Sequence, residues 1–290
     1  QALTSWSDEM TLVSAFTTEA ANQRIVSPLF CGSHPYLHGS LTYRYLIFSL
    51  HLNDDNVKVI AIFEFFQMKK LSIVSIEGIL TLIATLSIIF ARAPIIELPV
   101  GVDFFYIFFL CVMLLMSLTV YKSETLSIED VSFLSLIALY VGGGFSGILF
   151  VREYGFGMVV FVFCIIWGTD TFAYFTGRSF GKHKLAPAIS PNKTIEGSIG
   201  GVIGAIGLGT IALKLFNPLG FHFIEMTILM IALSVFGQLG DLVESAYKRR
   251  FNVKDSGKIF PGHGGVLDRF DSTFFAMFMF QIVLKFIGTH

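Results

Sequence analysis

The residues able to do chemistry in this chain cluster in a few polar segments of an otherwise apolar sequence. Asp241 and Glu244 follow an apolar run, and the segment from Ser245 to Asp271 then carries Lys248, Arg249, Lys254, Asp255, His263, Asp268, Arg269 and Asp271. Earlier, Asp170 sits within Trp167-Gly-Thr-Asp-Thr-Phe-Ala-Tyr174, followed by Arg178, Lys182, Lys184, Ser190, Lys193, Thr194 and Glu196. Carboxylates interleaved with Lys and Arg suit one chemistry in particular. Hard divalent cations such as Mg²⁺ bind one or two carboxylates together with substrate phosphate oxygens. Lys and Arg neutralise the remaining phosphate charge. Phosphoryl and nucleotidyl transfers need mainly positioning and charge neutralisation, with no protein nucleophile. A single helix-end carboxylate ordinarily caps a helix or reaches water. Asp170, Glu196, Asp241, Glu244, Asp268 and Asp271 together, beside so many basic residues, point to a shared site. No Ser-His-Asp set, CxxC pair or HExxH motif competes.

Glycines and turn residues fit the same chemistry. Pro261-Gly-His-Gly-Gly265 is a flexible turn whose Gly264 and Gly265 amides can approach phosphate closely. It is not a P-loop, since GxxxxGK[ST] is absent. His263 has two open roles, contact with phosphate or proton transfer on one hand and a hydrogen bond within the turn on the other. Ser190-Pro-Asn-Lys-Thr194, followed by Ile-Glu-Gly, reads as a turn feeding a helix N-terminus, itself an anion site. Thr194 is the candidate N-cap, with Lys193 beside any bound phosphate.

The elements that must position these residues are membrane spans. The chain has 290 residues, 54% hydrophobic, 15% aromatic and 14% charged, with a mean hydropathy of +0.72. Soluble domains carry about 25% charged residues. Apolar stretches near 73–90, 100–120, 131–151, 156–175, 195–216, 221–239 and 272–287 approach the about 20 residues needed to cross a bilayer. Val57–Phe66 is too short to count, and Tyr43–Leu52 is weaker still. The expected fold is all-α, a polytopic membrane helical bundle of about seven to nine spans. Basic residues gather at Lys69–Lys70, in the loop 176–194 and after Leu239, with an even number of spans between successive groups. The positive-inside rule then places all three, and the polar site, on the cytoplasmic side of the cell membrane. Net charge is −1, and no nucleic-acid partner is expected.

Within 195–216, Gly197, Gly201, Gly204, Ala205 and Gly209 recur at helical spacing, which lets helices approach closely in lipid. Gly207-Leu-Gly209-Thr-Ile-Ala212 matches a loose dinucleotide pattern but sits inside a span with no strand before it, so that reading is rejected. Gly142–Gly144 and Gly147 are read as packing or kink positions. Cys31, Cys111 and Cys164 have no disulfide or zinc spacing and are read as small hydrophobes. The first forty or so residues show no basic n-region followed by an apolar h-region, so no signal peptide is expected.

The run Ser245-Ala-Tyr-Lys-Arg-Arg-Phe-Asn-Val-Lys-Asp-Ser-Gly-Lys-Ile-Phe-Pro-Gly-His-Gly-Gly-Val-Leu-Asp-Arg-Phe-Asp271 closely resembles the signature of phosphatidate cytidylyltransferases, also called CDP-diacylglycerol synthases. Tyr247 stands where an aliphatic residue or Phe is usual. Asp170-Thr-Phe-Ala-Tyr-Phe-Thr-Gly-Arg178, Gly181 to Gly197, and Phe236-Gly-Gln-Leu-Gly-Asp-Leu-Val-Glu-Ser245 also look like the family's. The resemblance runs from about Phe63, with Glu64 similar to a family Glu, to the C-terminus. Residues 61–290 are therefore expected to form the cytidylyltransferase domain, its catalytic part at 156–290. Residues 1–60 are expected to be an atypical segment, divergent or disordered.

The resemblance implies transfer of the cytidylyl group of CTP to phosphatidic acid, giving CDP-diacylglycerol and pyrophosphate. It implies Mg²⁺, with a monovalent cation such as K⁺ as an optional companion, held by Asp241 and Asp268. The catalytic set is then Asp241, Asp268, Lys248, Arg249, Lys254, Asp255, His263 and Arg269. Asp170, Arg178, Ser190, Lys193, Thr194, Glu196, Glu244, Ser245, Gly264, Gly265 and Asp271 are expected at the substrates. Lys182 and Lys184 would guide substrate at the membrane surface. Membrane lipid and a second copy of the chain complete the expected partners. A CTP-dependent enzyme for another lipid phosphate, or a lipid kinase, would share this site logic. An anion transporter is the remaining alternative, but no internal repeat supports it.

Overall fold

The computed structural model describes residues 55–69, 71–92, 103–216, 223–257 and 265–287. The described residues form α1 (Asp55–Lys69), α2 (Ile76–Phe90), α3 (Phe104–Tyr121), α4 (Ile128–Glu153), α5 (Phe156–Phe180), the strands β1 (Lys184–Ala186) and β2 (Ser190–Thr194), α6 (Ile195–Phe216), α7 (Phe223–Arg250) and α8 (Leu267–Ile287). Five of the helices, α3 to α7, are long and apolar enough to cross a membrane, and α2 is a shorter apolar helix.

Short polar residues mark the helix starts, as their side chains satisfy otherwise unpaired first-turn amides. Ser75 Oγ accepts from the Gly78 amide at 3.1 Å. Ser127 and Asp130 form a reciprocal capping box at the start of α4, and Lys69 forms an ion pair with Asp130.

α5 and α6 pack along the small-residue stripe. A Cβ on Gly197 would lie 2.8 Å from Ala173 O, on Gly201 2.9 Å from Thr169 O, and on Gly204 2.4 Å from the Phe172 ring. Only glycine permits this approach. Gly144 and Gly147 play the same part between α4 and α8, against Phe274 and Met277. Cys111 is buried with Ala84, Phe108 and Ala138 among α2, α3 and α4; Cys31 lies outside the described residues. The loose dinucleotide match at 207–212 is helical throughout.

The sequence expectations differ from the structure in two places that matter for the site. First, 190–194 is not a turn but the second strand of an antiparallel hairpin, with Lys184 opposite Thr194 and Ala186 opposite Ser190. Pro187 pre-sets a tight turn there, closed by the Ile189 amide donating to Ala186 O at 3.1 Å. The described residues are therefore helical with one small sheet rather than strictly all-α. Second, the helices continue past their apolar stretches. α7 runs beyond Leu239 to Arg250, and α8 starts at Leu267 rather than Ser272. Hydropathy marks what lipid can cover, whereas backbone hydrogen bonding continues into the polar region. α7 then stops at a Schellman turn, with Asn252 at φ 54° and the Val253 amide reaching Lys248 O at 2.9 Å.

Candidate active site

The extension of α7 puts Asp241, Glu244, Ser245 and Lys248 at i, i+3, i+4 and i+7, on one helix face. Three other elements bring partners to that face. From the hairpin, the Lys193 ammonium forms an ion pair with Asp241 Oδ2. Among the described residues, Asp241 Oδ1 meets only the Ser245 hydroxyl, at 3.4 Å. From α8, Asp268 Oδ1 accepts from Lys248 Nζ at 2.7 Å. Its Oδ2 accepts from the Ser256 amide at 2.9 Å, the Ser256 hydroxyl at 2.9 Å and the Gly265 amide at 2.7 Å. These donors and the Lys248 charge offset the cost of burying the Asp268 carboxylate. Glu244 is buried, and its Oε2 lies 2.6 Å from Lys248 Nζ. That leaves Glu244 Oε1 without a hydrogen-bond partner among the described residues.

Asp170 on α5 is exposed and lies in the electrostatic reach of Asp241 and Lys193. Asp271 interacts with the charges of Asp241, Asp170 and Lys248, and its Oδ1 accepts from the Ser272 amide at 2.6 Å. Asp170, Asp241, Glu244, Asp268 and Asp271 thus share one locality with Lys193 and Lys248. Acid outnumbers base, which suits added cations.

The comparison with known proteins falls on this arrangement. Residues 40–287 match the model of the cytidylyltransferase family. The chain belongs to the cytidylyltransferase family. It is 42% identical over 231 residues to the phosphatidate cytidylyltransferase of Bacillus subtilis (strain 168), covering 78% of this chain and 86% of that protein. The enzymes of the same name from Staphylococcus epidermidis (strain ATCC 12228 / FDA PCI 1200) and Staphylococcus aureus (strain COL) are 40% and 38% identical over the same shares. The family match begins at residue 40, earlier than the resemblance at Phe63 indicated.

Within this family frame the remaining candidates fall into groups. Thr194 caps α6, its Oγ1 accepting from the Gly197 amide at 3.1 Å. Glu196 turns back to the hairpin, accepting from the Lys182 and His183 amides at 3.1 and 3.2 Å and lying 2.6 Å from His183 Nδ1. Arg249 Nε donates to Ile189 O at 3.3 Å, tying the end of α7 to the hairpin turn. Arg178 donates to the Tyr174 hydroxyl at 2.9 Å, and Ser190 pairs with Ala186 in the sheet. Lys254 and Asp255 are exposed beyond α7, and Arg269 occupies the first turn of α8. Gly265 donates its amide inward to Asp268, not toward open space. His263 and Gly264 lie outside the described residues.

Two residues at this centre were given no site role from the sequence, although Glu64 was noted there as similar to a family Glu. Ser256 bonds Asp268 through both amide and hydroxyl. Glu64 is fully buried and accepts from the Val266 and Leu267 amides. The signal for Glu64 was present in the sequence, because an ionisable residue inside the apolar run 57–66 is costly without a partner. Ser256 carried no such signal.

Proposed function

We propose that this chain transfers the cytidylyl group of CTP to phosphatidic acid, releasing pyrophosphate and forming CDP-diacylglycerol. One observation carries the assignment of that reaction to this site: Lys193–Asp241 and Lys248–Asp268, contributed by the hairpin, α7 and α8, meet at one end of α7. The phosphate monoester oxygen of the lipid is the nucleophile. It forms a bond to the α-phosphorus of CTP as the bond from that phosphorus to the bridging oxygen breaks, and pyrophosphate leaves with the electron pair. Lys193 and Lys248 neutralise phosphate charge as it shifts toward the leaving group. Asp241 orients Lys193, and Asp268 orients Lys248. Arg249 and Arg269 add positive charge at the rim, and the apolar helices α5 to α8 hold the acyl chains in lipid.

The donor set fits Mg²⁺. Its oxygens are hard carboxylates in excess over the lysines, and Glu244 Oε1 has no hydrogen-bond partner among the described residues. No three acidic, His or Cys side chains converge in metal-binding geometry among those residues. Asp241 and Asp268 are the carboxylates that would hold a bound Mg²⁺. It supplies charge neutralisation on the transferring phosphates. Asp241 Oδ1 is the more available oxygen, since both Asp268 oxygens already accept strong hydrogen bonds.

The proposal extends to topology. Counting α2 and α8 with the five long helices gives seven spans, the lower end of the seven to nine expected, and the basic residues of the hairpin and of the end of α7 support a site facing the cytoplasmic side of the cell membrane. A homodimer belongs to the same proposal, and light scattering of the purified protein tests it.

The deciding assay supplies purified protein with phosphatidic acid, Mg²⁺ and CTP labelled at either the α- or the γ-phosphate, with ATP and dCTP as controls. Label passes to lipid from the α-position only. Lipid labelling from the γ-position identifies a kinase and overturns the proposal, as does the absence of transfer from either position.

A further inference from the structure

Glu64 belongs to α1, far in sequence from the segment it touches. Its Oε1 accepts from the Val266 amide at 2.7 Å, and its Oε2 accepts from the Leu267 amide at 2.8 Å and from the Ser256 hydroxyl at 3.1 Å. The first turn of α8 presents unpaired amides and the positive end of the helix dipole. Glu64 fills that position with a carboxylate from another helix, where a free helix start would attract a phosphate. The fit is close. A Cβ on Gly257 would lie 2.5 Å from Glu64 Oε1, and one on Gly265 would lie 2.4 Å from it. Both glycines thus leave the space that the carboxylate occupies.

The same contacts lead to Asp268. The Ser256 hydroxyl lies 3.1 Å from Glu64 Oε2 and 2.9 Å from Asp268 Oδ2, and it accepts from the Asp268 amide at 3.3 Å. Its single proton is shared between the two carboxylates or donated to one at a time, so Ser256 is their common neighbour. Gly265 and Asp268 flank the two residues whose amides Glu64 holds. Fixing those amides fixes the helix turn on which Asp268 stands, and with it the Asp268–Lys248 pair.

We propose that Glu64 is a positioning residue for the cytidylyl-transfer site: it seals the start of α8 and, through Ser256, sets the Asp268 carboxylate in register with Lys248. The proposal rests on the function given above. It also implies that substrate phosphate does not bind the start of α8, since that place is already taken by a side chain.

The test compares wild type with Glu64→Gln and Ser256→Ala in the full chain in detergent. Glutamine has the shape of Glu64 but only one accepting oxygen, so at least one of the three donors loses its partner. Hydrogen exchange without Mg²⁺ or substrate is the first readout, and the peptide containing Val266 and Leu267 should exchange about 10- to 100-fold faster in Glu64→Gln. The second is the Mg²⁺ dependence of turnover, where kcat should fall about 10- to 100-fold and the activating Mg²⁺ concentration rise several-fold, with KM for phosphatidic acid unchanged. Ser256→Ala keeps the Glu64 bonds to α8 but removes the link to Asp268. It should leave exchange at Val266 and Leu267 near wild type while shifting the Mg²⁺ dependence. Wild-type exchange and Mg²⁺ dependence in Glu64→Gln would overturn the proposal. If Glu64→Gln does not fold, a wild-type Mg²⁺ dependence in Ser256→Ala would overturn it alone. Wild-type protein that transfers no cytidylyl group fails the functional assignment instead, and the exchange comparison still stands by itself.

Discussion

The two Lys–Asp pairs of the site are built from the same residue types and behave as different objects. Lys193 and Asp241 are 28% and 31% exposed, and among the described residues Asp241 Oδ1 has only a long contact with Ser245. Lys248 and Asp268 are 17% and 8% exposed, Lys248 also lies against buried Glu244, and Asp268 takes hydrogen bonds on both oxygens. An open pair can exchange its partner for a substrate phosphate at little cost, because water already screens it. A closed pair does so only at greater cost, because drawing one member away strands the other in a poorly solvated place. The open pair is suited to receive substrate, and the closed pair holds the frame against which substrate is placed.

Neutralising the acids separates the two most sharply. Asp241→Asn and Asp268→Asn should each lower kcat/KM by on the order of 10³-fold or more, since both alter charge beside the reacting phosphates. Only Asp268→Asn should also lower stability, by about 1–3 kcal/mol, because it weakens the bonds to Lys248, Ser256 and Gly265. Thermal unfolding in detergent measures this. Near-normal turnover in Asp268→Asn, or equal stability losses in the two variants, would end the distinction.

The lysines sharpen the same contrast from the other side. Lys248→Met leaves Glu244 and Asp268 buried without a counter-charge and should cost about 3–5 kcal/mol. Lys193→Met frees an acid that water reaches, so stability should change by less than about 1 kcal/mol. Its effect should appear as an about 10- to 100-fold rise in KM for CTP. A stability loss in Lys193→Met as large as that in Lys248→Met would show that exposure does not divide the pairs.

The apolar framework behind the open pair is the next lever. Gly201 lies against the backbone oxygen of Thr169, the residue before Asp170, and an added Cβ would lie 2.9 Å from it. Gly201→Ala must part α5 from α6 and should cost about 1–3 kcal/mol. It should also move Asp170 away from Lys193 and weaken CTP binding. Gly207→Ala is the control, since nothing lies within 4 Å of its Cβ, and it should be neutral or stabilising by up to about 1 kcal/mol. Equal losses in the two would remove close packing as the cause.

These regions also differ in how far the sequence revealed them. The α5–α6 contact was legible because small residues at helical spacing have one physical use in lipid, and the Thr194 cap because its chemistry is local. The gathering of carboxylates near one depth was legible from where apolar runs end. The hairpin was missed because pairing of residues 184–186 with 190–194 depends on a turn whose flanking residues are not strongly β-forming. The continuation of α7 to Arg250 and the start of α8 at Leu267 were not read, because hydropathy ends before the helix does. The role of Glu64 could not be read at all without the fold, since its donors lie about 200 residues away.

Glu196 offers the smallest and most discriminating change. It precedes the glycine stripe and sits close in sequence to Lys193, so the sequence groups it with the open pair. Its carboxylate instead accepts from the backbone of Lys182 and His183 and from the His183 ring, which ties the chain leaving α5 to the start of α6. That contact bears on the site only through the hairpin that carries Lys193. Glu196→Gln keeps one accepting oxygen and should leave kcat within about twofold, while KM for CTP rises about 3- to 10-fold as Lys193 gains freedom. If kcat instead falls as far as in Asp241→Asn, Glu196 contacts substrate directly, and the open pair must be redrawn as a triad reaching onto α6.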